Sequence, residues 1–561
     1  MKITHSTKFS KKSKEGDGSF LISDQKGGYL WFNSEPKSRY EGWFCSFEGC
    51  EEPYRIIESI AVEGENDIFE IKNRFNYIKR RRKGLSELFY ISKASNTFVY
   101  RLSRKKKIDV FFDVRKSYES KEPSDYEFEK VEGVIVVKFH EEIFLAVKSE
   151  KGENIKKIID RQYSYDKERN SSPFSKNIYH GISLYGKNFV FAVSKSKSDA
   201  IKDVKKNLSL RRAGSGEKYL DVLCAQNSLS SLFVSKNNKK GLYAGLPWFF
   251  QFWPRDEAIS LKALSLLKKE EAKEVFLRLL ETSFSKGPGG IVNIDAPGWV
   301  LKRADCFLPL LSSSEKEVVK RKGKIFVKEA EERVINGFFV NNPNETWMDS
   351  LERSGARIEI QTMLLNAYRL MSLLSKEKRN KDFYSRKEKA LKTKTRNAFF
   401  DGENLFDGYY PQDKVQDKVL RPNIFIAYYI YPDLLTKEEW VRCFENALRC
   451  LWLSWGGLST IDKSNSNFYW KHTGEDSKSY HQGDSWFFLN NLVAVVLYRV
   501  DKERFKDYIN KIKKASKKEL MWMGAVGCHG EVSSAEKLES RGCLNQAWSS
   551  AMYLELLTID M

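Results

Sequence analysis

The chain reads Leu246-Pro247-Trp248-Phe249-Phe250-Gln251-Phe252-Trp253-Pro254-Arg255-Asp256 just before a long series of helical patterns, and this segment sets five aromatic residues beside an adjacent Arg-Asp pair. Aromatic rings stack on the C–H faces of a pyranose, and a fixed arginine and aspartate can hydrogen-bond its hydroxyl groups. A buried aromatic cluster with an interior ion pair is the alternative interpretation. The segment is therefore a candidate sugar-binding site.

The residues before this segment show the alternation of short β-strands. From about residue 20 to about residue 193, β-prone runs are separated by polar turns, and examples lie at 68–72, 98–102, 134–139 and 189–193. Many short alternating strands are typical of a β-sandwich. We predict an N-terminal antiparallel β-sandwich domain over residues 1–200.

The residues from about 219 onward carry apolar side chains at the three- and four-residue spacing of helices. Helices are predicted at 256–267, 270–284, 315–335, 358–375, 387–399, 437–453, 484–500 and 545–557. We predict an all-α domain over residues 219–561, joined to the β-sandwich by a linker helix at 201–218 that includes the basic pair Arg211-Arg212.

The charge of the chain raises the question of a nucleic-acid partner. A net charge of +21 on 561 residues would attract phosphate groups. The basic residues nevertheless fall in separate short runs at 79–83, 104–107 and 511–514, with acidic residues between them. We expect a solvated charged surface of a kind that would also suit a thermophile, and no nucleic-acid partner.

Neither a membrane segment nor a cofactor site is indicated by the sequence. It has no run of about eighteen apolar residues, and residues 1–8 lack the apolar block of a signal peptide. The eight cysteines show no CxxC spacing, and His and Cys form no cluster with metal-ligand spacing. We expect a cytoplasmic protein with no membrane partner, no metal and no organic cofactor.

The loops at the starts of the predicted helices collect aromatic, carboxylate and amide side chains. If alternate helices form an inner ring, these loops meet at one mouth of the ring and build a deep polar pocket. The loops after the first segment are 289–293, 303–305, 344–349, 357–361, 420–423, 480–486, 529–531 and 542–548.

Several of these loops carry motifs that occur in the same order in a known family. These motifs are Trp253-Pro254-Arg255-Asp256, Thr346-Trp347-Met348-Asp349, Glu359-Ile360-Gln361, Leu420-Arg421-Pro422-Asn423, Tyr480-His481-Gln482-Gly483 and Gln546-Ala547-Trp548-Ser549, with Gly27-Gly28-Tyr29 and Ser38-Arg39-Tyr40 in the β-rich part. In them the sequence resembles the glucosidase domain of glycogen debranching enzymes, the amylo-α-1,6-glucosidases, and more distantly the glucoamylases.

This resemblance implies a fold and a reaction. Such families combine an N-terminal β-sandwich with an (α/α)6 toroid and hydrolyse α-glucosidic bonds with inversion, using one carboxylic acid and one carboxylate. By motif position Asp349 is the general acid and Glu531 the general base, although Glu536 stands close enough in the sequence to be a rival. Asp349 could instead simply cap a helix.

The resemblance also implies a set of substrate contacts. The expected substrate is an α-1,6-linked glucose branch of glycogen or a related α-glucan; an α-1,4-specific glucoamylase-like enzyme and an inactive glycan-binding protein are the alternatives. No transferase domain of the amylase type fits beside the two predicted domains. The candidate binding residues are Trp253, Arg255, Asp256, Asp305, Trp347, Arg421, Asn423, His481, Gln482, Trp486, Gln546 and Trp548, of which His481 could equally be a buried structural histidine.

Overall fold

The computed structural model describes residues 1–5, 9–12, 18–64, 67–140, 142–206, 219–236, 238–282 and 286–559. Within these residues, strands dominate as far as residue 194 and helices dominate from residue 220. The prediction of a β-rich N-terminal region followed by a helical domain is confirmed. Most of the predicted linker helix, residues 207–218 with Arg211 and Arg212, lies outside the described residues.

The β-rich region contains fifteen described strands and two short helices. The helices are α1 (Ser164–Glu168) and α2 (Lys197–Lys205). The strands are β1 (Lys2–His5), β2 (Phe9–Lys12), β3 (Phe20–Ser23), β4 (Tyr29–Phe32), β5 (Gly42–Cys45), β6 (Tyr54–Val62), β7 (Ile68–Asn73), β8 (Ile78–Arg82), β9 (Leu85–Ile91), β10 (Thr97–Lys116), β11 (Tyr126–Val131), β12 (Val134–Phe139), β13 (Ile143–Lys148), β14 (Lys151–Gln162) and β15 (Ser175–Ser194).

Two long strands, β10 and β15, organise this region. They pair with each other, and each changes its other neighbour along its length: β10 pairs first with β9 and then with β6, whereas β15 pairs first with β14 and then with β13. The register shifts between Arg101 and Lys106, where the strand changes neighbours. The pairings are antiparallel except that of β1 with β7, which is parallel and corrects the purely antiparallel prediction.

The β-rich region has its own apolar core, which its strand alternation builds. In β9 every second residue is buried, and three of these, Leu85, Phe89 and Ile91, belong to the core cluster. The fourth is Glu87, which accepts hydrogen bonds from Arg80, Arg82 and Tyr100. The buried carboxylate is thus fully paired, as burial of a charge requires.

The helical region contains twelve described α-helices joined by loops and short strands. The helices are α3 (Leu220–Leu232), α4 (Pro254–Leu267), α5 (Lys269–Glu281), α6 (Ala296–Phe307), α7 (Ser313–Glu332), α8 (Ile358–Leu374), α9 (Lys378–Phe399), α10 (Asn423–Ile430), α11 (Lys437–Leu451), α12 (Phe487–Asp501), α13 (Lys506–Trp522) and α14 (Ala547–Leu557). Short 3-10 helices span Pro288–Gly290, Leu308–Leu310 and Pro432–Leu434.

The short strands of this region tie loops together. They are β16 (Phe233–Lys236), β17 (Lys239–Leu242), β18 (Gly245–Leu246), β19 (Val334–Ile335), β20 (Phe338–Asn341), β21 (Gly355–Arg357), β22 (Gly408–Tyr410), β23 (Val415–Asp417), β24 (Trp452–Leu453), β25 (Gly457–Leu458), β26 (Ser485–Trp486), β27 (Val532–Ser533) and β28 (Asn545–Gln546).

The eight predicted helices correspond to α4, α5, α7, α8, α9, α11, α12 and α14. Residue 284, the predicted end of the second helix, lies outside the described residues. The helix predicted at 484–500 begins later, at Phe487, because Ser485 and Trp486 pair with β27. The sequence did not predict α3, α6, α10 and α13.

Alternate helices form a closed series of contacts. Helix α4 contacts α6, and the contacts continue through α8, α10, α12 and α14 back to α4. The remaining helices pack against this series and are more exposed: α8 buries fourteen of its 17 residues, whereas α9 buries three of its 22. Helices that are buried on most sides belong to a protein interior, so α4, α6, α8, α10, α12 and α14 form the inner layer.

Two contacts close the helical region and join it to the β-rich region. Strand β18 pairs with β28, and a Cβ on Gly245 would lie 2.3 Å from Gln546 Oε1, so only glycine allows this approach. Tyr29 and Phe44 stack on each other and belong to the same apolar cluster as the helices. Among the described helices, none has both the length and the apolarity needed to cross a bilayer.

Candidate active site

A cavity of about 270 Å³, which we call the inner cavity, lies where the N-termini of inner-layer helices meet. Trp253, Trp486 and Gln546 line it, and each precedes the first residue of its helix, α4, α12 or α14. Pro254 starts α4, which suits proline because the first helical N–H has no partner within the helix. The full lining is Ala244, Phe249, Trp253, Arg255, Asp256, Trp347, Asp349, Tyr480, Trp486, Glu531, Gln546 and Trp548.

Arg255 connects two carboxylates at the wall of the inner cavity. Its Nε lies 2.9 Å from both carboxylate oxygens of Asp295, and its Nη1 donates to Asp349 Oδ2 at 3.5 Å. Arg255 is buried, while the Asp349 side chain is 44% exposed. Because Asp349 lines the cavity, this exposed surface faces the cavity interior. Arg255 therefore makes a closer ion pair with Asp295 than with Asp349.

Asp349 has the electrostatic setting of a carboxyl that can hold a proton near neutral pH. Desolvation by the cavity walls and the negative charge of Asp295 raise its pKa to about 6, against the opposing effect of Arg255. A carboxyl with such a pKa is a candidate general acid, because it is protonated in a substantial fraction of molecules at mildly acidic pH.

Glu531 faces the same cavity and is held by two donors. The Tyr480 hydroxyl donates to its Oε1, and the Cys543 N–H donates to its Oε2 at 2.7 Å. Burial raises the pKa of Glu531, and these two hydrogen bonds oppose that rise. A Cβ on Gly542 would lie 2.3 Å from Glu531 Oε2, so the backbone at residue 542 fixes the carboxylate position.

A third carboxyl, that of Asp256, also lines the inner cavity. Gln546 Nε2 donates to Asp256 Oδ1 at 3.2 Å. Burial, followed by the nearby charges of Glu531 and Asp349 against that of Arg255, raises the pKa of Asp256 to about 8. Asp256 therefore holds a proton at neutral pH and can act as a hydrogen-bond donor or acceptor toward a hydroxyl group.

Tryptophans form the apolar walls. Trp347 donates to Asn423 Oδ1 at 2.7 Å and packs edge-on to Trp486, while Trp548 stacks on Phe488 with ring centroids 4.2 Å apart. Four buried polar atoms of the lining have no hydrogen-bond partner among the described residues: Trp253 Nε1, Arg255 Nη2, Gln546 Oε1 and Trp548 Nε1. A polyhydroxylated ligand can satisfy such atoms, so the cavity combines stacking faces with unpaired polar groups.

Nine of the fourteen predicted site residues line the inner cavity, and five do not. Asp305 is exposed on α6 and pairs with Lys302 at 2.8 Å. Arg421 donates to the carbonyl oxygens of Thr460 and His481, and burial lowers its pKa to about 10. The structure also leaves Gln482 outside the lining, with Nε2 donating to the Lys478 carbonyl at 3.4 Å.

Two of these five residues lie directly behind the cavity wall. His481 stacks on Trp486 with centroids 5.1 Å apart, shares a hydrogen bond with Ser350, and has its pKa lowered well below its usual value by burial. Asn423 holds the Trp347 indole and donates to Asp407. The rival carboxylate Glu536 is exposed and is not among the residues that line this cavity.

Three residues at or beside the inner cavity were absent from the predicted set. Tyr480 belongs to the Tyr480-His481-Gln482-Gly483 motif, and a tyrosine next to His481 is the available sequence signal for it. Phe249 lies within the opening aromatic segment. Asp295 gave no motif signal, although an acidic residue before Ala296-Pro297 marks a helix start. In the described part of the chain, no group of three or more His, Cys, Asp or Glu residues is placed to hold a metal ion.

Comparisons with known proteins agree with the geometry. Residues 315–555, which include Asp349 and Glu531, match the family model described as amylo-alpha-1,6-glucosidase. A bacterial glucoamylase, solved in complex with acarbose, is similar in structure with a TM-score of 0.63 and 9% sequence identity, over 98% of this chain and 95% of the glucoamylase. No curated protein matches the sequence. The predicted resemblance to debranching glucosidases and, in fold, to glucoamylases is confirmed.

Proposed function

From a chain whose residues 315–555 match the amylo-α-1,6-glucosidase family, we propose an inverting, exo-acting α-glucosidase that hydrolyses α-1,6-linked glucose branches of glycogen or a related α-glucan. The observation that carries the proposal is the presence of Asp349 and Glu531 in one cavity that also offers tryptophan faces and unpaired polar groups. The family match and the fold support a glycosidase that acts on glucans.

Asp349 is the proposed general acid. It donates its proton to the glycosidic oxygen while the bond from that oxygen to C1 breaks, and its pKa of about 6 keeps enough of it protonated for this step. Glu531 is the proposed general base. It takes a proton from a water molecule that attacks C1 from the opposite face, so the glucose leaves as the β-anomer and Asp349 ends ionised.

The neighbouring residues orient the sugar. Arg255 Nη2, Gln546 Oε1 and the indole N–H of Trp548 are the proposed partners of its hydroxyl groups, with Asp256 beside them. Tyr480 holds Glu531 through its hydroxyl and thereby keeps the carboxylate pointed at the attacking water. The remaining predicted contacts lie outside the lining: Asn423 and His481 are proposed to hold Trp347 and Trp486 from behind. No contact with the sugar is proposed for Asp305, Arg421 or Gln482.

We propose that the helical region is a toroid and the β-rich region a sandwich. The closed series from α4 to α14 and the helices packed against it support an (α/α)6 toroid of six helix pairs. The shared strands β10 and β15 support a β-sandwich, with domains at residues 1–200 and 219–561. This arrangement would set the cavity at the mouth of the toroid, beside the β-rich region.

An α-1,4-specific glucosidase is the second candidate. Two observations favour it: the sequence motif Trp253-Pro254-Arg255-Asp256 and the glucoamylase-like fold. Glucose release from isomaltose and from maltose at equal concentration separates the two, since the favoured substrate should have the higher kcat/KM. Proton NMR in the first minutes should show β-glucose from either one; initial α-glucose would overturn the inverting mechanism, and no glucose from any α-glucan would favour a glycan-binding protein.

A further inference from the structure

A second cavity of about 360 Å³, the outer chamber, adjoins the inner cavity and shares Phe249, Tyr480 and Glu531 with it. Ser350, the residue after Asp349, lines it as well. The rest of its wall comes from two parts of the chain: Tyr40, Tyr118 and Arg169 of the β-rich region, and Trp248, His472, Gly474, Glu475, Ser477 and Gly542 of the helical region. A group attached to a sugar beside Asp349 can extend into this chamber.

Arg169 is the polar centre of the outer chamber. Its guanidinium carbon lies 3.7 Å from the centroid of the Trp248 ring, and its Nη2 donates to Glu475. Its Nη1 makes no hydrogen bond among the described residues and stands 3.7 Å from Asp166 Oδ1. Because Arg169 is only 9% exposed, this donor, which has an ionic neighbour but no hydrogen bond, is buried in the chamber wall.

Tyr118 supplies an aromatic face from the same region. Its ring stacks on Phe250 with centroids 5.0 Å apart, and its hydroxyl donates to the Trp248 carbonyl. Tyr118 is nevertheless 48% exposed, so a large part of the side chain remains open to a ligand. The β-rich region therefore fixes the position of Trp248 and adds a stacking surface next to it.

A backbone contact closes the chamber on the other side. The Glu475 N–H donates to the Arg169 carbonyl at 2.7 Å, and a Cβ on Gly474 would lie 2.3 Å from that carbonyl oxygen. Gly474 also has a φ of +67°, which glycine adopts without strain. The two regions of the chain are thus held together at this chamber by an approach that only glycine permits.

We propose that the outer chamber binds the leaving-group portion of a neutral α-glucan, with the β-rich region as part of the binding site. Tyr118 stacks on the glucose residue next to the bond that is cut, and Arg169 Nη1 and Glu475 bond its hydroxyl groups. The direction of the substrate, with the leaving group outward, rests on the proposed hydrolase function.

The test compares a substrate whose leaving group fills the chamber with one whose leaving group does not. The first is isomaltotriose or maltotriose, whichever the wild type cleaves faster; the second is α-D-glucosyl fluoride. Tyr118→Ala should lower the ratio of their kcat/KM values about tenfold, the magnitude of a lost stacking contact. Arg169→Met should lower it in the same direction. Tyr185→Ala, at a 42% exposed tyrosine of β15 that lines neither cavity, should leave the ratio unchanged.

The two proposals fail in different ways. If Tyr118→Ala affects both substrates equally, the chamber proposal is overturned and the hydrolase stands. If the wild type cleaves neither substrate, the hydrolase proposal fails, and calorimetric titration with the trisaccharide then tests the chamber alone. Weaker binding by Tyr118→Ala than by Tyr185→Ala supports the chamber, and equal affinities or no binding overturn it.

Discussion

Arg255 Nη1 lies 3.5 Å from Asp349 Oδ2, while its Nε lies 2.9 Å from both carboxylate oxygens of Asp295. The positive charge of the arginine is therefore paired mainly with Asp295 and offsets the negative charge of Asp349 only in part. This unequal sharing lets desolvation dominate at Asp349, whose pKa rises to about 6 instead of falling as it would beside an unshared arginine. The proposed acid thus depends on a carboxylate that lies outside the cavity lining.

Replacing the proposed acid should abolish most of the activity. Asp349→Asn cannot deliver a proton to the leaving oxygen, so kcat on an oligosaccharide should fall by about 10²–10⁴-fold. Activity on α-D-glucosyl fluoride, whose leaving group needs less protonation, should fall less. A measured loss that is equal on the two substrates would contradict the role of Asp349 as the acid.

The effect of Asp349→Asn on the stability of the fold, relative to wild type, should be more favourable at high pH than at low pH. The pKa of Asp349 is raised from 3.8 to about 6 on folding, so the protonated form favours the folded state and that contribution is lost as the pH rises through about 6. The asparagine of the variant cannot ionise, so the melting temperature of Asp349→Asn relative to wild type should be higher at pH 8 than at pH 4. A difference independent of pH would refute the raised pKa.

The basic limb of the pH–rate profile should respond to Asp295. Because the proposed acid must be protonated, kcat/KM should decline above about pH 6. Asp295 raises the pKa of Asp349, so Asp295→Asn should move this decline to lower pH and let Arg255 turn toward Asp349. Asp433→Asn, at an exposed carboxylate paired with Arg369, is the control and should leave the profile in place.

The fold was predictable wherever local periodicity and burial agree. The strand at 98–102 was predicted correctly, but its continuation to Lys116 was not, because residues 103–107 are mostly charged and largely exposed within the long strand β10. Helix α10 was missed because its sequence, Asn423 to Ile430, is apolar on all sides and shows no helical period. Helix α13 was also missed. It contains the basic run at 511–514, which the sequence alone assigns to the charged surface.

The site was predictable to the level of its loops but not of each side chain. Residues at a helix start can point into the cavity or away from it, and sequence order does not separate the two. Trp347 and Asp349 face the cavity, whereas Asn423 and His481, from equally distinctive motifs, bond or stack on the tryptophans from behind. Asp305 lies near the end of α6, one helical turn after its ion-pair partner on the same helix, and stays on the surface.

The proposed base can be separated from its rival by paired substitutions. Glu531→Gln should reduce kcat by on the order of 10²–10⁴-fold, since the carboxylate that activates water is lost. Glu536→Gln changes an exposed residue outside the cavity lining and should keep wild-type kcat. Tyr480→Phe removes a hydrogen bond that lowers the pKa of Glu531, so the acidic limb of kcat/KM should move to higher pH. The reverse pattern for the two glutamates would reassign the base.

The backbone at Gly542 should prove as important as the carboxylate it supports. Gly542 has a φ of +66°, and an added Cβ would stand 2.3 Å from Glu531 Oε2, so Gly542→Ala combines backbone strain with displacement of the base. Gly133→Ala has a similar φ of +76° but nothing within 4 Å of the added atom, and therefore isolates the strain. Gly542→Ala should lose at least as much stability in thermal melts as Gly133→Ala, because it adds the clash with Glu531 to the strain, and only Gly542→Ala should lose kcat, on the order of 10²-fold for a displaced catalytic group. Equal kcat values for the two variants would show that the position of Glu531 does not limit the reaction.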